Sequence, residues 1–265
     1  KTIGVNSSAQ AFNVLDLAQA CNIKFVNGKA LLEQVRINKT HEELDNLRHA
    51  AKIADAAFAD VISFIKPGMK EQEVSDFLHR HMENDGGYSC WSIVASGPNS
   101  SYPHYNEYER TIQKGDAVVL DFGCVYNGLC SDMSRTVFIC EASERLRELY
   151  AYVNESNAAG EKAAREGATA ASVDKAARDV LQKYGYAETL INRVGHGIGY
   201  MIHEAPDIKK CNPQLLEKGM CFSIEPGIYI AGDVGMRVED IVVINEKGET
   251  EILNKSTHDL LVVGN

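Results

Sequence analysis

The sequence predicts an α+β fold built from two related halves. Each half shows two helical stretches of apolar residues followed by short apolar runs that are typical of strands. Segment 114–123 also matches segment 218–227, with Asp121 opposite Glu225, an offset of 225 − 121 = 104 residues. A repeat this long is unlike that of a solenoid. It indicates two half-domains related by a pseudo-twofold axis, which would bring equivalent hairpins together.

The first half begins with a strong helix signal. Thr40 and Glu43 fit a capping box, and apolar residues continue at helical spacing as far as Ile65. Pro67-Gly68 then ends the helix. The rest of this half is predicted as a helix from about 71 to 84 and strands at 117–122 and 136–140.

The second half repeats this order of elements. Ser143 is predicted to cap a helix over about 144–166, and Ser172 to cap the next helix, which ends at Gly185. Apolar runs at 220–224 and 238–244 then predict strands. Both halves therefore show two helices followed by strands.

Residues 1–36 are predicted to form a unit of their own. They hold short strand-like runs at 3–5 and 24–26 and helical stretches near 9–17 and 30–35. So short a segment with so few apolar residues could hardly fold alone. We therefore expect a boundary after residue 36 and a main domain over 37–265.

Composition argues against several classes of partner. The chain has 265 residues, with 27 Lys and Arg against 37 Asp and Glu, for a net charge of −10. Such an acidic chain is a poor binder of nucleic acid, whose phosphates require clustered cations. No apolar run reaches the roughly 18 residues of a membrane span. The seven cysteines lack a C-x-x-C pair, which favours a reduced, cytoplasmic protein.

Four acidic residues occupy equivalent places in the two halves. Asp121 and Asp132 lie on one predicted hairpin, and Glu225 and Glu239 lie on the other. Four buried carboxylates repel one another unless cations neutralise them. His196, which stands between two glycines, adds one imidazole. This oxygen-rich set predicts two divalent metal ions, Mn²⁺ in the first place, with Co²⁺ or Zn²⁺ as alternatives.

The order Asp, Asp, His, Glu, Glu resembles that of the pita-bread metallopeptidases, which include methionine aminopeptidase, aminopeptidase P and prolidase, an Xaa-Pro dipeptidase. The resemblance covers roughly residues 38–265 and implies the pita-bread fold, in which helices cover a curved antiparallel sheet. It also implies that 1–36 are the C-terminal remnant of a creatinase/prolidase-like N-terminal domain with its linker, and 37–265 the catalytic domain. The matching segments are 120–123, 131–136, 195–199, 203–206, 224–227 and 237–240.

The resemblance implies a role for each metal ligand. Asp121 would bind one metal ion through both of its oxygens. Asp132 and Glu239 would bridge the two ions. His196 and Glu225 would hold the other ion.

Proton transfer and substrate binding are implied for four side chains. Glu225 would take a proton from the attacking water and pass it to the leaving nitrogen. His104 would contact the substrate or shuttle protons, and His203 would hydrogen-bond the scissile carbonyl group. Arg237 resembles the arginine with which the Xaa-Pro-cleaving branch of the family binds substrate.

These features predict a metallo-exopeptidase that hydrolyses the Xaa-Pro bond at the N-terminus of dipeptides or short peptides. The predicted partners are proline-containing peptides and a second copy of the chain in a homodimer, with no nucleic acid and no membrane. Two alternatives stay open: a methionine-type aminopeptidase, and a non-catalytic binding protein on the same fold. Retention of all five metal ligands argues against the second. The sequence does not separate a dipeptidase from an aminopeptidase P.

Overall fold

The computed structural model describes residues 1–6 and 9–264. Its N-terminal part is a parallel pair of strands, each followed by a helix. None of the described residues before Ile37 is buried. This exposure is consistent with a boundary after residue 36, which stays a prediction. The elements of this part are β1 (Thr2–Val5), α1 (Ala11–Ala20), β2 (Lys24–Asn27) and α2 (Lys29–Arg36).

The first half of the main body begins with two helices that pack on a sheet. Its elements are α3 (His41–Phe64), α4 (Glu71–Asn84), β3 (Tyr88–Ser96), β4 (Ala117–Tyr126), β5 (Leu129–Cys130) and β6 (Met133–Ile139). A short 3₁₀ turn at Gly97–Ser101 follows β3. Strand β4 extends beyond the predicted 117–122 because its last residues pair with β3 and β5.

The second half of the body contains the remaining helices and strands. They are α5 (Glu144–Ala163), α6 (Ala170–Lys183), β7 (Gly195–Gly197), β8 (Glu204–Ile208), β9 (Cys221–Ile224), β10 (Gly227–Ile230), β11 (Val234–Arg237), β12 (Asp240–Ile244), β13 (Thr250–Ile252) and β14 (Leu261–Val263). A 3₁₀ turn at Ala187–Thr189 precedes β7. No helix in the described ranges is both long and apolar enough to cross a lipid bilayer.

The sheets bear out the predicted duplication. Strands β6, β4 and β3 are adjacent in that order in one sheet, and β12, β9 and β7 are adjacent in the same order in the other. Strand β14 joins the first sheet beside β6, while β13 and β8 lie at the two edges of the second. Each half has its own apolar core between its helix pair and its sheet.

Two hydrogen-bonding side chains cap the first turn of helix α3. The Thr40 hydroxyl accepts a hydrogen bond from the Glu43 amide at 3.2 Å, and the Glu43 carboxylate accepts one from the Thr40 amide at 2.7 Å. These two bonds satisfy amides that the first turn of α3 leaves without helical partners. The predicted capping box is therefore present.

The prediction that Ser172 caps a helix is wrong. Helix α6 starts three residues earlier than predicted, and Thr169 is the cap, because its hydroxyl accepts from the Ser172 amide at 3.1 Å. The Ala170 amide also donates to the Gln214 carbonyl oxygen at 2.9 Å. This hydrogen bond to a distant segment fixes the first turn of α6, and the local sequence pattern could not predict it.

Within the described part of the chain, an isolated antiparallel bridge between Ser134 and Glu239 joins the first half to the second. The Glu239 amide donates to the Ser134 carbonyl oxygen at 3.0 Å. The Thr136 hydroxyl and the backbone of Arg237 also exchange two hydrogen bonds of 3.0 Å. The chain thereby brings the predicted acidic hairpins of the two halves into contact.

Candidate metal centre

A cavity of about 620 Å³ lies where the two halves meet. All eight side chains predicted from the sequence line it. They are His104, Asp121, Asp132, His196, His203, Glu225, Arg237 and Glu239. Five more residues line this cavity that the sequence did not single out as site residues: Trp91, Ile93, Asn192, Arg193 and Ile202.

Strand alternation directs Asp121 into the cavity. Its neighbours on β4, Leu120 and Phe122, are fully buried in the apolar core beneath helices α3 and α4. Successive side chains of a strand point to opposite faces of the sheet. Asp121 therefore faces away from that core. Opposite it on β3 lies Ile93, which also lines the cavity.

The same alternation positions the acidic residues of the second half. Phe222 and Ile224 of β9 are buried in the second apolar core, so Ser223 faces the other side. Its hydroxyl donates to a Glu225 carboxylate oxygen at 3.2 Å and accepts from the His196 amide at 3.1 Å. One serine thus connects two of the predicted ligands.

His196 is held in a narrow space between β8 and β9. A Cβ atom on Gly195 would lie 1.9 Å from the Ser223 carbonyl oxygen, and one on Gly197 would lie 2.1 Å from that of Ala205. Only glycine tolerates such close backbone approach on both sides. The His196 Nδ1 atom lies 3.1 Å from the Gly197 carbonyl oxygen, which leaves Nε2 turned toward the acidic residues.

The predicted ligand atoms converge. His196 Nε2 lies 3.2 Å from a Glu225 oxygen and 3.6 Å from an Asp132 oxygen. Asp132, His196 and Glu239 each offer one ligand atom, and these atoms lie within 4.8 Å of one another. Asp121 borders the same cavity and forms an ion pair with Arg237.

The carboxylates of this cluster have unmet binding capacity. Asp121 Oδ1, Asp132 Oδ1 and Glu239 Oε1 are buried without a hydrogen-bond partner among the described residues. Buried polar atoms are normally hydrogen-bonded, and a cluster of three unpaired carboxylate oxygens in one cavity calls for a partner such as an ion or water. The residues therefore fit divalent cations, which would give each of these oxygens a partner.

Burial and mutual repulsion show the same need for positive charge. Burial, together with the charges of Glu239 and Asp121, raises the pKa of Asp132 well above its ordinary value. Burial and the charge of Glu225 do the same to the pKa of Glu239. Burial raises the pKa of Glu225 to about 7 and lowers that of His196 to about 3. Without cations, this cluster resists full ionisation at neutral pH.

Arg237 is a buried part of the site. Its side chain is 2% exposed and forms an ion pair with Asp121. Its Nε donates to the Ser134 hydroxyl at 2.7 Å, and its Nη1 donates to the Tyr229 hydroxyl at 3.0 Å and to the Pro103 carbonyl oxygen at 3.2 Å. Ser134 in turn donates to a Glu239 oxygen at 2.8 Å. Arg237 therefore holds one predicted ligand directly and another through Ser134.

Two further histidines border the cavity. His203 stacks edge-on against His196, with ring centroids 4.3 Å apart and planes at 80°. Burial lowers the pKa of both His104 and His203 below the ordinary value, with the charge of Arg237 adding to the effect on His104 and that of Arg193 to the effect on His203. Both imidazoles are therefore neutral at pH 7 and able to accept or donate a proton.

The model of metallopeptidase family M24 matches residues 45–246. The chain belongs to this family. The predicted family and the predicted class of enzyme, a metallopeptidase, are thereby confirmed. Both predictions rested on the order of the metal ligands in the sequence.

The chain is also similar to individual relatives. It is 36% identical over 264 residues to an Xaa-Pro dipeptidase of Pyrococcus furiosus, covering 98% of this chain and 76% of that protein. It is 39% identical over 234 residues to an uncharacterized peptidase of Bacillus subtilis, covering 88% of this chain and 66% of that protein. The chain thus spans about two thirds of the length of that relative.

Solved structures confirm the predicted pita-bread fold. An X-Pro aminopeptidase from Thermotoga maritima superposes with a TM-score of 0.94 at 32% identity, covering 99% of this chain and 75% of that one. The similar proteins thus include enzymes named as dipeptidases and as aminopeptidases.

Proposed function

We propose that this chain is a metal-dependent exopeptidase that hydrolyses the Xaa-Pro bond at the N-terminus of dipeptides or short peptides. The observation that carries the proposal is the set of buried, unpaired carboxylate oxygens of Asp121, Asp132 and Glu239 in one cavity. The names of relatives such as the Xaa-Pro dipeptidase of Pyrococcus furiosus support the substrate class.

Five residues would hold two divalent cations. Asp121 would bind one ion, Asp132 and Glu239 would bridge the pair, and His196 and Glu225 would hold the other. Four carboxylates and one imidazole form a hard donor set, which favours Mn²⁺ and also accepts Co²⁺ or Zn²⁺. When bound, such ions polarise the scissile carbonyl group and make water a nucleophile at neutral pH.

Glu225 is proposed as the residue that moves the proton. Its carboxylate lies 3.2 Å from His196 Nε2 and accepts from Ser223, so it is held at the ligand cluster. It would take a proton from the attacking water and deliver it to the proline nitrogen. This delivery matters because the imide nitrogen carries no hydrogen and leaves poorly unless it is protonated.

The two half-buried histidines are proposed to handle the substrate. His203, beside His196, would donate a hydrogen bond to the carbonyl oxygen on which negative charge develops. His104 would contact the substrate and assist proton delivery. Arg237 lines the cavity, so its predicted contact with substrate is retained beside its bond to Asp121.

Metal-dependent release of proline is the direct test. The purified protein is stripped with a chelator and assayed on a panel of Xaa-Pro dipeptides, with and without added Mn²⁺. We expect proline release only with metal. A Met-Ala peptide in parallel tests the methionine-type alternative, which predicts faster cleavage of Met-Ala than of any Xaa-Pro substrate. If no peptide of either kind is cleaved and no Mn²⁺ binds, the chain is instead a non-catalytic binding protein.

Location and assembly are further proposals. All seven cysteines are free thiols, which supports a reducing compartment such as the cytoplasm.

Helices α1 and α2 expose apolar side chains, among them Phe12 at 60% and Val35 at 71%. We propose that residues 1–36 belong to a unit separate from the catalytic domain of 37–265 and that the chain forms a homodimer. Light scattering after size-exclusion chromatography would measure the predicted twofold mass.

A further inference from the structure

His203 lies in a loop between two strands. Residues 198–203 connect β7 to β8 and have no regular secondary structure. The side chains of Tyr200 and Met201 in this loop are exposed. No hydrogen bond within the described part of the chain fixes the His203 imidazole, whose ring stacks edge-on against His196. The direction of this imidazole therefore depends on what holds the backbone of the loop.

A buried ion pair anchors the end of this loop. Lys39 Nζ lies 2.6 Å from Glu204 Oε1, and the two side chains are 0% and 10% exposed. The other carboxylate oxygen of Glu204 accepts a hydrogen bond from the Met201 amide at 3.3 Å. One carboxylate thus holds the backbone on both sides of His203. Because the pair is shielded from water, its attraction is stronger than that of a surface pair.

Lys39 is itself held by the main body and by helix α2. Its amide donates to the Gly219 carbonyl oxygen at 2.8 Å. Its ammonium group donates to the carbonyl oxygens of Arg36 at 2.8 Å and of Ile37 at 3.4 Å, at the C-terminal end of α2. Carbonyl groups at a helix end lack helical partners and favour positive charge. All three N–H donors of the ammonium group therefore have acceptors, and Lys39 is a fixed base for Glu204.

The first part of the loop packs directly on this ion pair. A Cβ atom on Gly199 would lie 2.6 Å from Glu204 Oε1 and 2.7 Å from Lys39 Cε. The Gly199 carbonyl oxygen also accepts from the Cys130 amide of β5 at 2.8 Å. Only glycine allows the backbone to approach the pair this closely. Both ends of the loop that contains His203 are therefore fixed against Lys39 and Glu204.

A buried lysine is an expensive way to hold a loop. Among the lysines that the structure describes, Lys39 is the one that is buried. An ammonium group is strongly hydrated, so its burial is costly even beside a carboxylate. Two apolar side chains of similar volume often stabilise a fold as well as a buried ion pair does. Stability alone therefore does not account for this pair, whereas a directed contact that sets the position of the loop does.

We propose that Lys39 is a positioning residue, which binds Glu204 and thereby sets the loop so that His203 reaches the carbonyl oxygen on which negative charge develops. The proposal rests on the function proposed above and adds to it a residue that lies outside the cavity. A donor to that oxygen acts in the transition state and loses its effect when it is misplaced by about 1 Å. Loss of Lys39 should therefore lower kcat and leave KM and Mn²⁺ binding nearly unchanged.

The test measures kcat and KM for an Xaa-Pro dipeptide with saturating Mn²⁺, and the number of bound ions, in Lys39→Met. We expect kcat to fall about tenfold to a hundredfold, as for a group displaced by about 1 Å, while KM and the number of ions stay the same. Lys29→Met is the matched control, because it removes a lysine of helix α2 whose ion pair with Glu33 is exposed. It should leave kcat unchanged.

A double variant separates positioning from stability. Lys39→Met alone leaves the Glu204 carboxylate buried without its cation, which destabilises the fold. Lys39→Met/Glu204→Gln has no unpaired buried charge, so its midpoint of chemical denaturation should return toward that of the unaltered protein. Its kcat should stay low, because the connection to the loop is still absent. Recovery of kcat together with stability would show a merely structural role and overturn the proposal.

A further comparison asks whether Lys39 acts through His203. Adding Lys39→Met to His203→Ala should lower kcat by less than about threefold more, because the imidazole that Lys39 positions is already absent. A full additional loss would contradict action through His203. An unchanged kcat in Lys39→Met would overturn the role of Lys39 and leave Xaa-Pro hydrolysis standing. Absence of cleavage by the unaltered protein would instead refute the proposed function itself.

Discussion

Glu239 and Asp240 are neighbours in the sequence, equally buried, and placed in opposite electrostatic surroundings. Glu239 faces the metal centre, where burial and the charge of Glu225 raise its pKa well above the ordinary value. Asp240 faces the other side of the sheet. Burial tends to raise its pKa too, but Arg135 and His258 lower it below the ordinary value. The nearest cation to Glu239 is Arg237, whose Nε lies 4.0 Å from its carboxylate, whereas Asp240 lies 2.7 Å from Arg135 Nη2.

The second environment is a buried network that we call the rear cluster: Arg135, Glu161, Asp240 and His258. Arg135 is 1% exposed, and each of its five N–H groups has an acceptor. One acceptor is the backbone carbonyl oxygen of Glu239, at 2.7 Å. His258 Nε2 lies 2.7 Å from an Asp240 oxygen. The rear cluster thus supplies its own cations and also fixes the backbone of a predicted metal ligand.

The comparison of Glu239 with Asp240 shows under which condition a fold can bury an acidic side chain. A buried charge is tolerated when it is paired and hydrogen-bonded. Asp240 meets this requirement through Arg135, whereas the four carboxylates of the metal centre share one buried guanidinium, that of Arg237. Glu161 Oε1 in the rear cluster is unpaired as well, so what distinguishes the metal centre is its excess of four carboxylates over one buried guanidinium. Such an excess indicates a site that takes positive charge from outside the chain.

Glu239→Gln should have the largest effect on activity. The change keeps the shape of the side chain and removes the charge that would bridge two cations, so kcat/KM should fall by more than about a hundredfold, beyond the range for loss of an outer-shell partner. The stability of the metal-free protein should change by less than about 1 kcal/mol, because burial already favours the neutral acid there. Glu246→Gln, at a side chain 75% exposed, is the control.

Asp240→Asn should have the largest effect on stability. It leaves the Arg135 guanidinium buried without its carboxylate, which costs about 3–5 kcal/mol. Chemical denaturation of the metal-free protein measures this loss. Asp233→Asn removes one side of an ion pair whose Arg145 and Asp233 side chains are 51% and 46% exposed, and should cost less than about 1 kcal/mol. Equal losses in the two variants would refute the claim that the buried ion pair depends on its carboxylate far more than the exposed pair does.

The loss of stability with rising pH should disappear when metal is added. Burial raises the pKa of Asp132 and Glu239, and that of Glu225 to about 7, so the metal-free folded chain holds protons that the unfolded chain releases. The stabilisation by Glu225 is complete below its unfolded pKa of about 4.3 and is lost as the pH rises through about 7, and Asp132 and Glu239 contribute in the same direction. Tm of the chelated protein should therefore fall toward pH 8. Saturating Mn²⁺ should abolish the fall, because cations replace the protons.

His258→Gln should destabilise the rear cluster much less than Asp240→Asn does. The imidazole is 27% exposed, so water can reach the Asp240 oxygen that loses its partner, and Arg135 stays in place. We expect a loss of about 1 kcal/mol, as for one hydrogen bond. A loss as large as that of Asp240→Asn would show that His258, rather than Arg135, carries the charge balance of the rear cluster.

The sequence predicted the parts of the site that depend on local patterns. Asp121 and Glu225 follow apolar runs at equivalent places of a repeat, and His196 stands between glycines. Alternation along β4 turns Asp121 away from the first core, and alternation along β9 turns Ser223, which binds Glu225, away from the second. The fold class followed from the repeat and from the resemblance of its motifs.

Contacts between distant segments could not be predicted. Arg135 and Asp240 are 105 positions apart, and no spacing rule connects them. Strands β3 and β7 are defined by pairing across the sheets rather than by an apolar run of their own. Arg193 was also missed, because an isolated arginine in a loop carries no local sign that the fold turns it toward a cavity.

The number of Mn²⁺ ions bound per folded chain tests the central claim most directly. Equilibrium dialysis of the chelator-treated protein, followed by elemental analysis, should find two ions per chain in the unaltered protein and a loss of bound metal in Glu239→Gln. Circular dichroism would show that both remain folded. No bound Mn²⁺ in the unaltered protein, or undiminished binding in Glu239→Gln, would contradict the claim that these unpaired carboxylates are the metal centre.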